Sequence, residues 1–267
     1  MPGFWPALGF TLTYLSAIVL IPLMALVLRP LELGWSGIWE VFSDDRVVAA
    51  LRLSFLASFA AALTDGVLGF IVAWTLVRYK FPGRRILDAL VDLPFAMPTA
   101  VAGISLATIY APTGWIGALF DPFGIKIAYT PIGVFVALVF VGFPFVVRAV
   151  QPVLEDFERE VEEAAATLGA RRRRTFVQVI FPAVAPALLT GFTLALARSV
   201  GEYGSVIFIA GNLPYVSEIA PLVIVMKLEE YNYAGAAAVG LAMLLLSFLI
   251  LLVSNAAQVA LSKGGKS

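Results

Sequence analysis

The sequence predicts an all-α integral membrane protein with six transmembrane helices. Three observations predict it. Of 267 residues, 61% are hydrophobic and 13% charged, with a mean hydropathy of +0.95. A soluble chain of this length cannot bury so much apolar surface, so lipid is part of its solvent. Apolar segments recur at about the 20 residues that a helix needs to cross a bilayer. Lys and Arg gather in alternate connections, as they do when one side of the membrane is cytoplasmic.

The spans are expected at about 8–28, 50–77, 89–110, 132–150, 182–209 and 234–261, within one domain covering 1–267. The first apolar stretch, Pro2 to Leu28, has no charged side chain. It lacks the basic start and small-residue cleavage site of a signal peptide, so it is read as a retained helix. Val47 to Val77 carries Arg52 near its start and Asp65 inside. The third span should kink or break near Pro94 and Pro98. The fourth ends near Arg148. The fifth contains Arg198 and Glu202, and the sixth is free of internal charge. Ala220 to Lys227 is apolar but too short to cross, and reads as a partly buried or re-entrant helix. Ala111 to Pro131 is rich in Gly and Pro and should be irregular.

With the N-terminus inside, the inner connections receive Arg78, Lys80, Arg84, Arg85, Arg148, Arg159, Arg171, Arg172, Arg173, Arg174, Lys263 and Lys266. The outer side receives Arg29, Arg46, Arg52, Lys126 and Lys227. That imbalance places both termini in the cytoplasm.

Composition also excludes chemistry. The chain has no His and no Cys, which removes imidazole relays, thiol nucleophiles, disulfides and the usual metal ligands. Its net charge is zero, so no basic field argues for nucleic acid. Gly265, Lys266 and Ser267 imitate the end of a phosphate-binding loop. However, Ala260 stands where that motif needs glycine, and no helix follows. No catalytic residue, cofactor or metal is expected.

The function is carried by the connection at about 151–174. Leu154, Phe157, Val161, Ala165 and Leu168 fall at spacings of three and four, predicting an apolar stripe on one short helix. Glu155, Asp156, Glu158, Glu160, Glu162 and Glu163 cover the rest. Gly169 stands where a helix C-cap glycine belongs. Arg171 to Arg174 follow, at an end where the helix dipole favours cations. So dense an acidic face opposes binding to an anionic membrane surface and suits a protein partner.

Glu163, Ala164, Ala165, Gly169 and Pro182 match the pattern Glu-Ala-Ala, three residues, Gly, then a later apolar-Pro pair. Val179 and Phe181 stand for the usual Ile and Leu. The stretch resembles the cytoplasmic EAA loop of permease subunits of bacterial ABC importers. The resemblance implies a type I importer permease (MetI-like) fold, in which this loop is a coupling helix docked on the ATPase. It makes Glu163, Ala164, Ala165, Leu168, Gly169 and Pro182 the ATPase-coupling residues. TGFTLALARSVGEYGSVIFIAGNLP (Thr190 to Pro214), VRYKFPGRRILDALVDLPFAMPTAVAG (Val77 to Gly103) and YNYAGAAAV (Tyr231 to Val239) are similar to the T-type subunit of sulfate/thiosulfate permeases. The molybdate/tungstate permease is the close relative; it typically has Glu-Phe-Gly where this chain has Glu202, Tyr203 and Gly204. The resemblance implies several partners. These are two copies of an ATPase that binds the ATP, a W-type permease in a heterodimer, and a periplasmic sulfate/thiosulfate-binding protein.

Charges within spans face a partner or a cavity, because lipid solvates them poorly. Arg198 and Glu202 are four apart and share a helix face. Two readings stand. They form an intramembrane ion pair, extended by Asp65, or Arg198 lines the path of a dianion. Pro94, Pro98, Gly103, Gly191, Gly201 and Gly204 allow bending and close helix approach. Asp88 and Asp92 suit a helix start and could meet the basic loop Arg78 to Arg85. A rival reading is a secondary transporter driven by an ion gradient, with Asp65 and Glu202 as its coupling carboxylates.

Overall fold

A computed structural model of the chain describes residues 3–264. Lys266 and the Gly265–Ser267 imitation of a phosphate loop lie outside the described residues. Five helices are long and apolar enough to cross a membrane. They are α1 (Phe4–Ser43), α2 (Asp45–Arg78), a fourth span (Pro131–Glu155), a fifth (Arg172–Val200) and the last, apolar over Tyr233–Ala256.

The third span is interrupted, as its prolines predict. It is divided into α3 (Arg84–Val91), α4 (Leu93–Ala96) and α5 (Thr99–Tyr110). Met97 and Pro98 are extended between α4 and α5; Met97 is so because a residue before proline is pushed out of the helical region. The 12 residues of α5 reach about 18 Å, short of a hydrocarbon core of about 30 Å. The connection Ala111 to Pro131 is irregular apart from α6 (Gly117–Phe120) and a 3₁₀ turn at Asp121–Phe123.

α7 (Pro131–Glu155) starts on Thr130, whose hydroxyl accepts from the Ile132 amide. It is followed by α8 (Arg159–Thr167), α9 (Arg172–Val200), α10 (Val206–Ile209), α11 (Ala220–Glu229) and α12 (Tyr233–Gly264). The predicted 182–209 span therefore stops early. The helix ends at Val200, and Gly201 to Ser205 separates it from α10. Glu202 explains the interruption. Its Oε1 accepts hydrogen bonds from the Ser205 amide at 2.9 Å and hydroxyl at 3.0 Å, a local alternative to the helical ladder. The expected short helix at Ala220 to Lys227 is α11, with Ala220, Leu222 and Val223 buried.

Two helices widen into π-turns, at Ser16–Leu20 and Phe176–Ile180. Each lies just before a proline, Pro22 or Pro182. Proline has no amide to donate and its ring crowds the carbonyl four residues back. A wider turn accommodates both defects without breaking the helix.

The core is the packing of α2, α7 and α9. Small residues let these helices close on one another. A Cβ on Gly69 of α2 would lie 2.8 Å from the Val146 side chain. One on Gly191 of α9 would lie 2.8 Å from the Val146 Cα. Val146 is thus clasped from both sides. α1 lies outside this core, and its most apolar stretch is unburied. It leans on α12, where Gly240 would place a Cβ 3.2 Å from Leu26.

Candidate functional site: an exposed short helix at one end of the bundle

The two ends of the bundle are held by different ion pairs. At one end, Arg46 at the start of α2 donates two hydrogen bonds of 2.7 Å to the buried Glu218. Nearby, the Ala220 amide donates to Ser54 Oγ. At the opposite end Arg148 of α7 reaches α3 and its C-terminal flank. It donates to Asp88 Oδ1 at 2.6 Å, to the Asp88 carbonyl at 2.9 Å and to both oxygens of Asp92. Asp88 and Asp92 therefore meet Arg148, not the basic loop Arg78 to Arg85. The one guanidinium fork of Arg148 serves both carboxylates and the Asp88 carbonyl at once.

α8 belongs to this second end. Its capping fits the sequence reading. Gly169 has φ +83°, the Gly169 amide donates to the Ala166 carbonyl and the Ala170 amide to the Ala165 carbonyl. That is a Schellman motif with glycine at C′. Glu163, Ala164 and Gly169 are exposed and Ala165 is half-buried. Leu168 is 88% exposed. Pro182 stands apart, in the first turn of the helix after the π-turn.

The predicted single stripe is corrected. Leu154 is buried in the last turns of α7 and Phe157 packs against the core from the break at Asp156–Glu158. Val161 and Ala165 are on α8 and Leu168 is its C-cap, and Val161 and Leu168 face outward. The α7 helix simply runs on to Glu155, so the three-four spacing crosses a helix break. The arginines are corrected too. Arg172, Arg173 and Arg174 form the first turn of α9, not the end of α8. That is the positive end of a helix dipole. All four are exposed, and Arg174 also donates to Gln178.

What holds α8 in place is non-local and has no signature in any single stretch of the chain. Arg78, last residue of α2, lies 2.6 Å from Glu162, without hydrogen-bond alignment. Its guanidinium sits 5.1 Å from the Trp74 ring centre and 5.8 Å from Phe157. Phe176, at the start of the π-turn, packs edge-on against Phe70 and Trp74. α2, the α7–α8 break and α9 thus share one aromatic and cationic junction beneath α8.

Within the bundle, Arg198 and Glu202 form the expected ion pair. Glu202 is buried, whereas the Arg198 side chain is 36% exposed. Asp65 does not extend this pair. It is fully buried and both its oxygens lack a hydrogen-bond partner among the described residues. It faces Gly142 and Ser199: a Cβ on Gly142 would lie 2.3 Å from Asp65 Oδ2 and 3.3 Å from Ser199 Oγ. Asp65 lies on the α2 face packed into the three-helix core, while Arg198 points to a more open face of α9. The helix breaks do come together, since a Cβ on Gly204 would lie 2.1 Å from Thr99 Oγ1. No cluster of three or more His, Cys, Asp or Glu able to hold a metal occurs among the described residues.

Residues 66–264 match the family model described as "Binding-protein-dependent transport system inner membrane component". The chain is 46% identical to the sulfate transport system permease protein CysT of Escherichia coli over 258 residues, 97% of this chain and 93% of that one. It is 50% identical to the protein of that name from Synechococcus elongatus, over 93% and 90% of the two chains. Among solved structures, a bacterial ABC transporter involved in the import of the acidic polysaccharide alginate superposes with a TM-score of 0.78. That match has 16% identity and covers 95% of this chain and 94% of that one. The methionine ABC transporter MetNI, in an inward-facing form, gives 0.57 at 19% identity, over 80% and 94%. The all-helical fold with its interrupted third span, the exposed capped helix between α7 and α9, and these matches lead to one conclusion: the chain belongs to the family of binding-protein-dependent transport system inner membrane components.

Proposed function

We propose that this chain is the T-type permease subunit of an ATP-driven importer that brings sulfate and thiosulfate into the cytoplasm. The substrate reading rests on near full-length relatives named as sulfate transport permeases. The observation that carries the coupling reading is α8 itself. It is a short, capped helix whose C-cap leucine, Leu168, is 88% exposed among acidic and basic side chains. An exposed leucine beside acidic side chains suits a protein groove better than water.

In this reading α8 docks on a cytoplasmic ATPase, one of two copies, through Glu163, Ala164, Ala165, Leu168 and Gly169. Pro182 and its π-turn pass the movement to α9. The chain carries no catalytic group, and the partner binds the ATP. A homologous W-type permease completes the pore, and a periplasmic binding protein supplies the anion. Both termini are cytoplasmic. The Arg198–Glu202 pair lies where the breaks in the third and fifth spans meet. Glu202 there offsets the charge of Arg198, which keeps the path from becoming a trap for a dianion. Asp65 serves the packing of α2, α7 and α9.

The test is radiolabelled sulfate uptake by cells deleted for their own sulfate permeases and expressing this chain with its partner permease, ATPase and binding protein. Uptake should be blocked by thiosulfate and not by molybdate. Molybdate uptake without sulfate uptake would overturn the substrate reading and keep the family.

A further inference from the structure

The helical stretch Phe4–Ser43 is too long for the membrane. Its 40 residues would reach about 60 Å as a straight helix, against about 30 Å of hydrocarbon and at most about 45 Å of whole bilayer. The sequence and backbone show where it leaves. Arg29 and Glu32 form an exposed ion pair of 3.1 Å, which belongs at the edge of hydrocarbon and not within it. A 3₁₀ turn covers Arg29–Leu33, and Gly34 has φ +66° and ψ 173°, outside the helical region. The chain changes direction there, and a ten-residue helix, Gly34–Ser43, follows.

This short helix is two-faced. Gly37, Ile38, Val41 and Phe42 are half-buried, with Val41 packed on the Val47, Ala50, Val223 and Val239 cluster. Trp35 and Trp39, four residues apart, share the exposed flank of the helix and are 84% and 73% exposed. Neither indole N–H has a hydrogen-bond partner among the described residues. In water two adjacent indoles would leave a large apolar patch. In hydrocarbon their N–H groups would be unsatisfied. At the boundary of headgroups and acyl chains both requirements are met.

We propose that Gly34–Ser43 is an interfacial helix that lies on the lipid surface, with Trp35 and Trp39 seated at the headgroup–acyl boundary. Its continuity with a membrane-crossing helix places it there, and its other face is taken by the bundle. The helix leads directly into Asp44, whose carboxylate caps α2 by accepting from the Arg46 amide. The membrane depth of the two indoles therefore sets the depth at which α2 begins.

The chain has five tryptophans. The full-length chain with Trp5→Phe, Trp74→Phe and Trp115→Phe keeps only Trp35 and Trp39. It would be placed in nanodiscs of phosphatidylcholine brominated either near the headgroup or near the chain end. Shallow bromines should quench about half of the emission, and at least about twofold more than deep ones, as interfacial indoles require. Should the triple variant fold poorly, the same contrast is read as the difference between the native chain and its Trp35→Phe/Trp39→Phe form. Absence of quenching would mean that water or a protein covers this face. Equal or stronger quenching by deep bromines would mean that the helix is immersed. Each of these results would overturn the proposal.

Discussion

At the scale of single residues, glycines divide by what they avoid. Gly169 has open space around its missing Cβ and a φ of +83°. A substitution there is strained by about 1–2 kcal/mol of left-handed backbone cost, without a clash. Asparagine tolerates that conformation, and a β-branched residue does not. Gly169→Asn should therefore keep most sulfate uptake, while Gly169→Val should lose about tenfold at equal membrane abundance, a backbone-limited pattern. Gly103 is the opposite case. Its Cβ would lie 2.3 Å from the Ser205 carbonyl oxygen, and backbone cannot step aside cheaply. Gly103→Ala should abolish accumulation of folded chain. Gly66→Ala, on a helix with nothing within 4 Å, should be neutral or stabilising by about 0.5–1 kcal/mol. Detergent-solubilised thermal unfolding separates the two.

At the scale of elements, the aromatic junction under α8 makes a prediction of its own. Arg78 lies over Trp74 and Phe157 and beside Glu162, so its planar cation joins three elements. Lysine keeps the charge and loses the stacking. Arg78→Lys should weaken the seating of α8 by about 1 kcal/mol, seen as ATPase activity less tightly linked to uptake, and Arg78→Ala by more. Unchanged coupling in both variants would remove the junction from the account.

Much at this scale was legible in the sequence. Apolar runs located the five long helices, Pro98 marked a break, and Gly169 marked the Schellman cap, because each is a local signal. What escaped was non-local. The Arg148 pairs span 56 and 60 residues, and the Arg46–Glu218 pair spans 172, so no window of sequence brings them together. The early end of α9 escaped because Val206–Ile209 is apolar, and hydropathy cannot see that Glu202 has captured the Ser205 amide. The false stripe from Leu154 to Leu168 arose because helix spacing persists across a break. Asp65 could be recognised as lying inside a span, but not assigned its neighbours Gly142 and Ser199.

At the scale of the whole molecule, the ion pairs at the two ends are unequal. Glu218 is nearly fully buried and Arg46 is its partner. Arg46→Ala would strand a buried carboxylate, at a cost of about 3–5 kcal/mol. The expected readout is a marked loss of thermal stability, with a smaller loss when Glu218→Gln is combined with it. Orientation is also testable at this scale. The chain has no cysteine, so single thiols report cleanly. A membrane-impermeant maleimide should label Trp115→Cys in intact spheroplasts and Leu168→Cys only after permeabilisation; the reverse pattern would invert the topology.

The most direct measurement sets Leu168→Glu against the unaltered chain in the assembled transporter, reading sulfate uptake, membrane abundance and ATPase activity together. Coupling through α8 predicts normal abundance with uptake reduced about tenfold or more, as expected when a central apolar contact of about 2 kcal/mol is lost. Uptake at the unaltered level would contradict it.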